Sequence, residues 1–209
     1  MREENPLQGT AAWHSARCGK LTASRMEAAM SFLKNGKESS KRIDLKKEIL
    51  AERMTDQIVP KYTNSIMQHG IDTEPAAKMA FEAKTGLLIS DVGFIDHPEI
   101  EFCGCSPDGL VSDGSLIEIK CPQTSTHLSW IISGQVPEEH KPQMILQCIC
   151  TGKSSVWFVS YDPRITKGAK QLYIRKFEPT EKEIQEVEEA AIKFLSEVDE
   201  MFDLITTGD

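Results

Sequence analysis

Two carboxylates and an ammonium stand close together in this chain. They lie in Ser106-Pro107-Asp108-Gly109 and, ten residues after the aspartate, in Glu118-Ile119-Lys120. Such a set can gather a divalent metal and a water at a phosphodiester, the equipment for its hydrolysis. In an extended segment side chains alternate, so Glu118 and Lys120 share one face while Ile117 and Ile119 point into a core. Taken alone, Glu-x-Lys on a strand is also a common surface ion pair.

The intervening turn tests the chemistry. Asp113-Gly114 is a strong hairpin signal, flanked by Leu110-Val111 and Leu116-Ile117. A two-residue turn would pair Ser112 with Ser115 and set Asp108 opposite Ile119, on the wrong face. A three-residue loop of Ser112, Asp113 and Gly114, with the glycine left-handed, pairs Val111 with Ser115 and Asp108 with Glu118. A metal site therefore predicts the three-residue register, or a bulge.

The surrounding order reads as helices, a strand-rich middle, then helices. Ser24-Arg25-Met26-Glu27 matches a capping box opening a short helix striped by Met26, Ala29, Met30 and Leu33. Lys34 to Lys41, rich in Gly, Ser and Lys, reads as a mobile loop. Ile43, Ile49, Leu50, Met54 and Ile58 then recur at mostly helical spacing. A further helix is predicted from near Asp72 to Pro75 as far as Thr85-Gly86, proline being tolerated in a first turn. Strands are expected at Leu87 to Asp96, Glu101 to Cys105, Leu110 to Val111, Leu116 to Lys120, Val156 to Tyr161 and Gln171 to Phe177. His140 to Cys150 reads as a helix with Met144, Ile145 and Cys148 inward. Thr180 to Glu183 is a second capping box, opening a helix at about 180–204 whose stripe is Ile184, Val187, Ala191, Leu195, Val198 and Phe202.

The 209 residues are enough for one substantial core, and one domain is expected over 1–209. The polar start, Met1 to Gln8, and the lack of a spanning apolar run lead us to expect a soluble, cytoplasmic protein with no membrane contact. Six cysteines, at 18, 103, 105, 121, 148 and 150, sit in apolar stretches, which favours buried free thiols over zinc or disulfides. The net charge of -8 is carried by residues 180–209, with ten acidic and two basic side chains. Their acidic face reads as solvated, or as a surface for a basic partner. Residues 17–61 hold eleven basic against six acidic side chains, a modest basic region compatible with DNA.

Cys105-Ser106-Pro107-Asp108-Gly109 with Glu118-Ile119-Lys120-Cys121-Pro122 resembles the bacteriophage lambda exonuclease family of the PD-(D/E)xK nucleases. So do Trp13-His14 with Arg17, Gly19 and Thr22-Ala23-Ser24, then Gly70 to Glu74, Gln143 and Tyr161-Asp162-Pro163-Arg164, in order over residues 13–164. The resemblance implies an α/β nuclease fold, with a mixed central sheet flanked by helices. It implies a 5′-to-3′ exonuclease on linear double-stranded DNA, using two Mg2+ ions with Mn2+ as a substitute. Mononucleotides would be released and a 3′ single strand left for recombination by strand annealing. A homotrimer ring and a single-strand annealing protein as partner belong to the same expectation.

Residue by residue, Asp108 and Glu118 match metal ligands, the Ile119 carbonyl a further ligand, Lys120 the catalytic lysine, and Glu74 and Gln143 active-site neighbours. Arg17, Ser24 and Ser106 match a 5′-phosphate pocket. The helix expected at Ser24 would by itself attract an anion. Met67 reads either as a strand wedge or as core packing, and His127 and His140 as candidate phosphate or DNA contacts. Rival functions are an endonuclease of the same superfamily, a non-catalytic recombination scaffold and, more distantly, a zinc-stabilised module.

Overall fold

The computed structural model describes residues 5–59, 65–168 and 170–207. Met1 to Glu4 of the polar start, and the end of the basic region at 60–61, lie outside the described residues. Among the described residues, seven α-helices and eight short strands follow in order. They are α1 (Ala11–Arg17), β1 (Leu21–Thr22), α2 (Met26–Ala29), α3 (Ser40–Thr55), α4 (Ser65–Thr85), β2 (Ile89–Ser90), β3 (Ile95–Asp96) and β4 (Cys103–Cys105). β5 (Gly109–Val111), β6 (Leu116–Lys120), α5 (Thr124–Ser133), α6 (Lys141–Thr151), β7 (Val156–Tyr161), β8 (Leu172–Phe177) and α7 (Glu181–Thr207) complete the chain.

The main sheet has the order β2-β5-β6-β7-β8, with β6 and β7 parallel and every other pair antiparallel. Alternation along β6 explains why both faces are covered. Ile117 and Ile119 join Val111 and Val159 against Ala77 and Phe81 of α4. Leu116 faces the other way, into the core built by Met144, Ile145 and Leu146 of α6 with Phe158. A small sheet, β1-β4-β3, runs beside it, with β1 parallel to β4.

Several sequence expectations change. The segment 87–96 is not one strand: β2 joins the main sheet and β3 the small one, with Gly93 between them packed against Asn5 and Pro6. Helix α4 starts at Ser65 rather than near Asp72, so Pro75 lies inside it. Ser24 does not cap a helix. It sits within a 3-10 turn, Ala23–Arg25, that Thr22 precedes, and α2 ends at Ala29, leaving Leu33 exposed. Ser40 and Lys41 belong to α3, capped by Ser39, and Phe32 bridges Glu38, which shortens the loop expected there. The buried face of α3 is Arg42, Leu45, Ile49, Leu50 and Glu52, whereas Ile43 and Met54 are exposed.

Arg42 explains the shift. It is 1% exposed, held by Glu38 and by Glu197 of α7. Lys46 joins Glu197, and Arg53 pairs with Asp199. The acidic C-terminal helix thus ties Glu197 and Asp199 to α3, while Glu181, Glu186, Glu189, Glu200 and Asp203 are exposed, as a solvated face requires. The same pairs consume much of the basic region: Lys20 meets Asp96, and Arg25 meets Glu48 and Glu52. The Thr180–Glu183 box is formed as expected, and Val187, Ala191, Leu195 and Val198 are buried. All six cysteines are free, and all but Cys18 are buried. No described helix is long and apolar enough to cross a membrane.

Candidate active site

The β5–β6 hairpin takes the three-residue loop. Gly109 pairs with Ile117 and Leu110 with Leu116, the Val111 N–H donates to the Ser115 carbonyl at 2.8 Å, and Gly114 has φ +86°. One step further along this register Asp108 meets Glu118. Asp113 locks the loop by accepting from Ser115 and from the Trp157 indole at 3.0 Å. Partial burial opposes its ionisation, but these bonds and Lys176 hold its carboxyl at about 2.

The Glu118 and Lys120 face is not a solvent face, because α6 covers it. Glu118 is 1% exposed, and Lys120 Nζ lies 2.5 Å from its Oε1. Gln143 Nε2 donates to Oε1 at 2.7 Å, and its own Oε1 accepts from Lys120 at 3.3 Å. Gln147, one helical turn on and fully buried, donates to Oε2 at 2.6 Å. A buried carboxylate thus has both oxygens hydrogen-bonded, as burial of a charge requires. A surface ion pair does not describe this arrangement.

Asp108 Oδ2 accepts the Ile119 N–H at 2.7 Å. A residue's carbonyl leaves a strand on the same edge as its N–H, so the Ile119 carbonyl is directed to the Asp108 side. Burial, then the carboxylates of Glu118 and Glu74, push the Asp108 carboxyl well above its ordinary range. Burial pulls the Lys120 ammonium down, but Glu118 and Asp108 outweigh it and its pKa is raised. Among the described residues no three His, Cys, Asp or Glu side chains form a metal-holding group. The donor set is instead two carboxylates with a backbone carbonyl. These hard oxygens, crowded so that one carboxyl resists ionisation, fit a hydrated divalent cation of the magnesium type.

Thr10 caps α1 by accepting the Trp13 N–H, and this helix presents Trp13 and Arg17 to the same cleft. Arg17 Nη1 donates to Ser106 Oγ and its Nη2 to Ser24 Oγ, each at 3.4 Å. Its guanidinium lies 4.1 Å from the Trp13 ring centroid. Burial and the nearby Arg25 lower its pKa to about 10, which leaves it charged. The Gly19 turn behind it is tight: φ is +69°, and an added Cβ would stand 2.7 Å from Arg53 Cγ.

A cleft of about 500 Å3 is lined by Arg17, Ser24, Met67, Glu74, Ser106, Asp108, Glu118, Ile119, Lys120 and Gln143, so every expected site residue except His127 converges there. A larger cavity of about 870 Å3 shares Arg17, Ser24, Met67, Glu74 and Asp108. Met67 is 47% exposed at this border, not core packing. Glu74 meets Lys78 at 3.4 Å, and Lys78 also meets Asp91 at 3.1 Å.

His140 lines the cleft, stacked on Phe158, and burial with the nearby Lys120 lowers it to about 4. His127 is no phosphate contact. It is 0% exposed and bonded to Ser160 Oγ and the Lys170 carbonyl. The Tyr161 to Arg164 motif is likewise architectural: buried Asp162 accepts from Thr124 and Arg164, and Arg164 donates to the Pro122 carbonyl after β6. Sequence reasoning missed Gln147, whose signal was its i+4 spacing from Gln143, and the bonding of Trp13.

Residues 12–154 match the YqaJ-like viral recombinase domain. The alkaline exonuclease LHK-Exo from Laribacter hongkongensis is 36% identical, with a TM-score of 0.86 over 95% of this chain and 97% of its own. Its complex with dAMP superposes with a TM-score of 0.87, at the same identity and coverage. A phage related exonuclease from Haemophilus somnus 129PT shares the fold, with a TM-score of 0.69 at 13% identity over 90% of this chain and 96% of its own. No curated protein matches the sequence. The hairpin, its carboxylates and the matched span agree: this chain belongs to the YqaJ-like viral recombinase family, with the lambda-type exonuclease fold.

Proposed function

We propose that the protein is a magnesium-dependent exonuclease that digests one strand of linear duplex DNA in the 5′-to-3′ direction. It would release mononucleotides and leave a 3′ single strand for annealing-type recombination. The observation that carries this reading is the convergence of Asp108, Glu118 and Lys120 with Arg17, Ser24 and Ser106 in one cleft. The relative crystallised with dAMP, a deoxymononucleotide, is in keeping with such a product.

Asp108, Glu118 and the Ile119 carbonyl would hold the metal. Magnesium, or manganese in its place, supplies Lewis-acid polarisation of the scissile phosphate and an activated water. Lys120, kept as an ammonium by Glu118 and Asp108, donates hydrogen bonds to the water or phosphate oxygens. Gln143 and Gln147 fix the Glu118 plane from the α6 side. Arg17, Ser24 and Ser106 receive the terminal 5′-phosphate, fixing which bond is cut, and Met67, exposed at the cleft border, would act as the wedge that splits the strands. A ring of three copies and a single-strand annealing protein complete the proposal. The ring would place DNA in a channel despite the net charge of -8.

Wild type and Lys120→Ala are compared on linear duplexes bearing 5′-phosphate or 5′-hydroxyl, with magnesium or a chelator. The variant should lose at least about 100-fold in rate, and the chelator should abolish release of nucleotides. Undiminished digestion by the variant refutes the mechanism, and cutting of closed circular DNA points to an endonuclease. Sedimentation at three times the monomer mass tests the ring.

A further inference from the structure

We infer that Trp13 is a positioning residue that sets the hydrogen-bond polarity of the terminal-phosphate pocket, and so its preference for a 5′-phosphate over a 5′-hydroxyl. This rests on the pocket proposed above. Trp13 is half-buried, and α1 contributes no buried residue, so core packing does not account for it. Its ring instead lies under the Arg17 guanidinium at 4.1 Å, and its Nε1 donates to Ser106 Oγ at 2.8 Å.

A serine hydroxyl has one proton and two lone pairs, whereas an indole N–H only donates. Ser106 Oγ accepts from Trp13 Nε1 and from Arg17 Nη1. With both lone pairs engaged, its proton is left to be given away. Beside Ser24, whose hydroxyl accepts from Arg17 and shares a hydrogen bond with Thr22, the Ser106 side of the pocket then offers only donors, the Ser106 O–H and the remaining Arg17 N–H groups. A phosphate accepts from all of them, but a 5′-hydroxyl also needs an acceptor for its proton and finds none on Ser106. Arg17 alone does not impose this, because its contact with Ser106 is long, at 3.4 Å. The short indole bond decides the polarity, and the ring face holds the guanidinium in place.

Trp13→Phe keeps a ring beneath Arg17 and removes the N–H. The readout is the ratio of kcat/KM on 5′-phosphorylated to 5′-hydroxyl duplex, measured for wild type, Trp13→Phe, Ser106→Ala, the double variant and Arg17→Ala. A general loss of folding or rate cancels in that ratio. Trp13→Phe should lower it about 3- to 10-fold, the worth of one hydrogen bond. The double variant should fall no further than Ser106→Ala, since both act through one hydroxyl. If Trp13→Phe keeps the wild-type ratio while Arg17→Ala loses it, the pocket stands and the inference about Trp13 is overturned. Equal effects of Trp13→Phe with and without Ser106 also overturn it. A wild type indifferent to the 5′ group overturns the pocket itself, and this inference with it.

Discussion

Asp108 stands opposite Glu118 across the β5–β6 register, and its Oδ2 accepts the Ile119 N–H at 2.7 Å. Two carboxylates are thereby brought together, with the Lys120 ammonium against Glu118. This relation supports both the proposed chemistry and a measurable cost without metal.

Burial, Glu118 and Glu74 raise the Asp108 carboxyl well above its unfolded value. Such a group contributes stability that is full below the ordinary carboxylate pKa, about 3.9, and is lost as pH rises through the folded pKa. In chelator, wild type should therefore lose Tm relative to Asp108→Asn as pH rises, the two converging at acid pH. Magnesium should raise the wild-type Tm and leave the variant's nearly unchanged. Parallel melting curves across pH contradict this account.

Gln147→Leu removes the donor to Glu118 Oε2 and leaves that oxygen buried and unpaired. The expected loss is about 10- to 100-fold in activity or metal affinity, as for other residues that orient a ligand. Calorimetric titration with Mn2+ checks the affinity without DNA. Retained affinity together with full activity would show that Gln143 and Lys120 suffice to hold the carboxylate.

Gly114 has φ +86° with open space around its Cα, so Gly114→Ala meets only the backbone penalty. That penalty is about 1–2 kcal/mol, a fall in Tm of roughly 2–8 °C for a chain of this size. Urea denaturation should show a lower midpoint with unchanged slope.

Arg42 joins α3 to α7 through Glu197, between the rings of Phe32 and Phe194, each 5.0 Å away. Arg42→Ala leaves carboxylates without their buried partner and should cost about 3–5 kcal/mol. Chemical denaturation of the metal-free protein measures it, and a loss below about 1 kcal/mol would mean that Lys46 suffices for Glu38 and Glu197.

Much of the hairpin was legible because strand alternation and turn length are local. Ile117 and Ile119 against Glu118 and Lys120 followed from period two, and the three-residue loop from the need to put Asp108 beside Glu118. The α6 and α7 stripes were legible for the same reason. Helix starts were not: Pro75 looked like a first-turn residue, but α4 begins ten residues earlier. Ser24 looked like a cap, but packing drew it into a 3-10 turn where Arg17 reaches it. The stripe through Ile43 and Met54 misled because buried Arg42 and Glu52 replaced them inward, each held by an ion pair from another segment.

The sequence by itself determined the donor set and its register, since the types and spacing of Asp108, Glu118 and Lys120, and a glycine able to adopt positive φ, are properties of a short stretch of chain. Only the tertiary structure decided that α6 would cover that face and supply Gln147. It alone set Trp13 against Ser106 across 93 residues and tied Glu197 and Asp199 of the acidic helix to α3. These are long-range packing choices, and the free energy of burying a charge depends on which partners arrive from elsewhere in the fold.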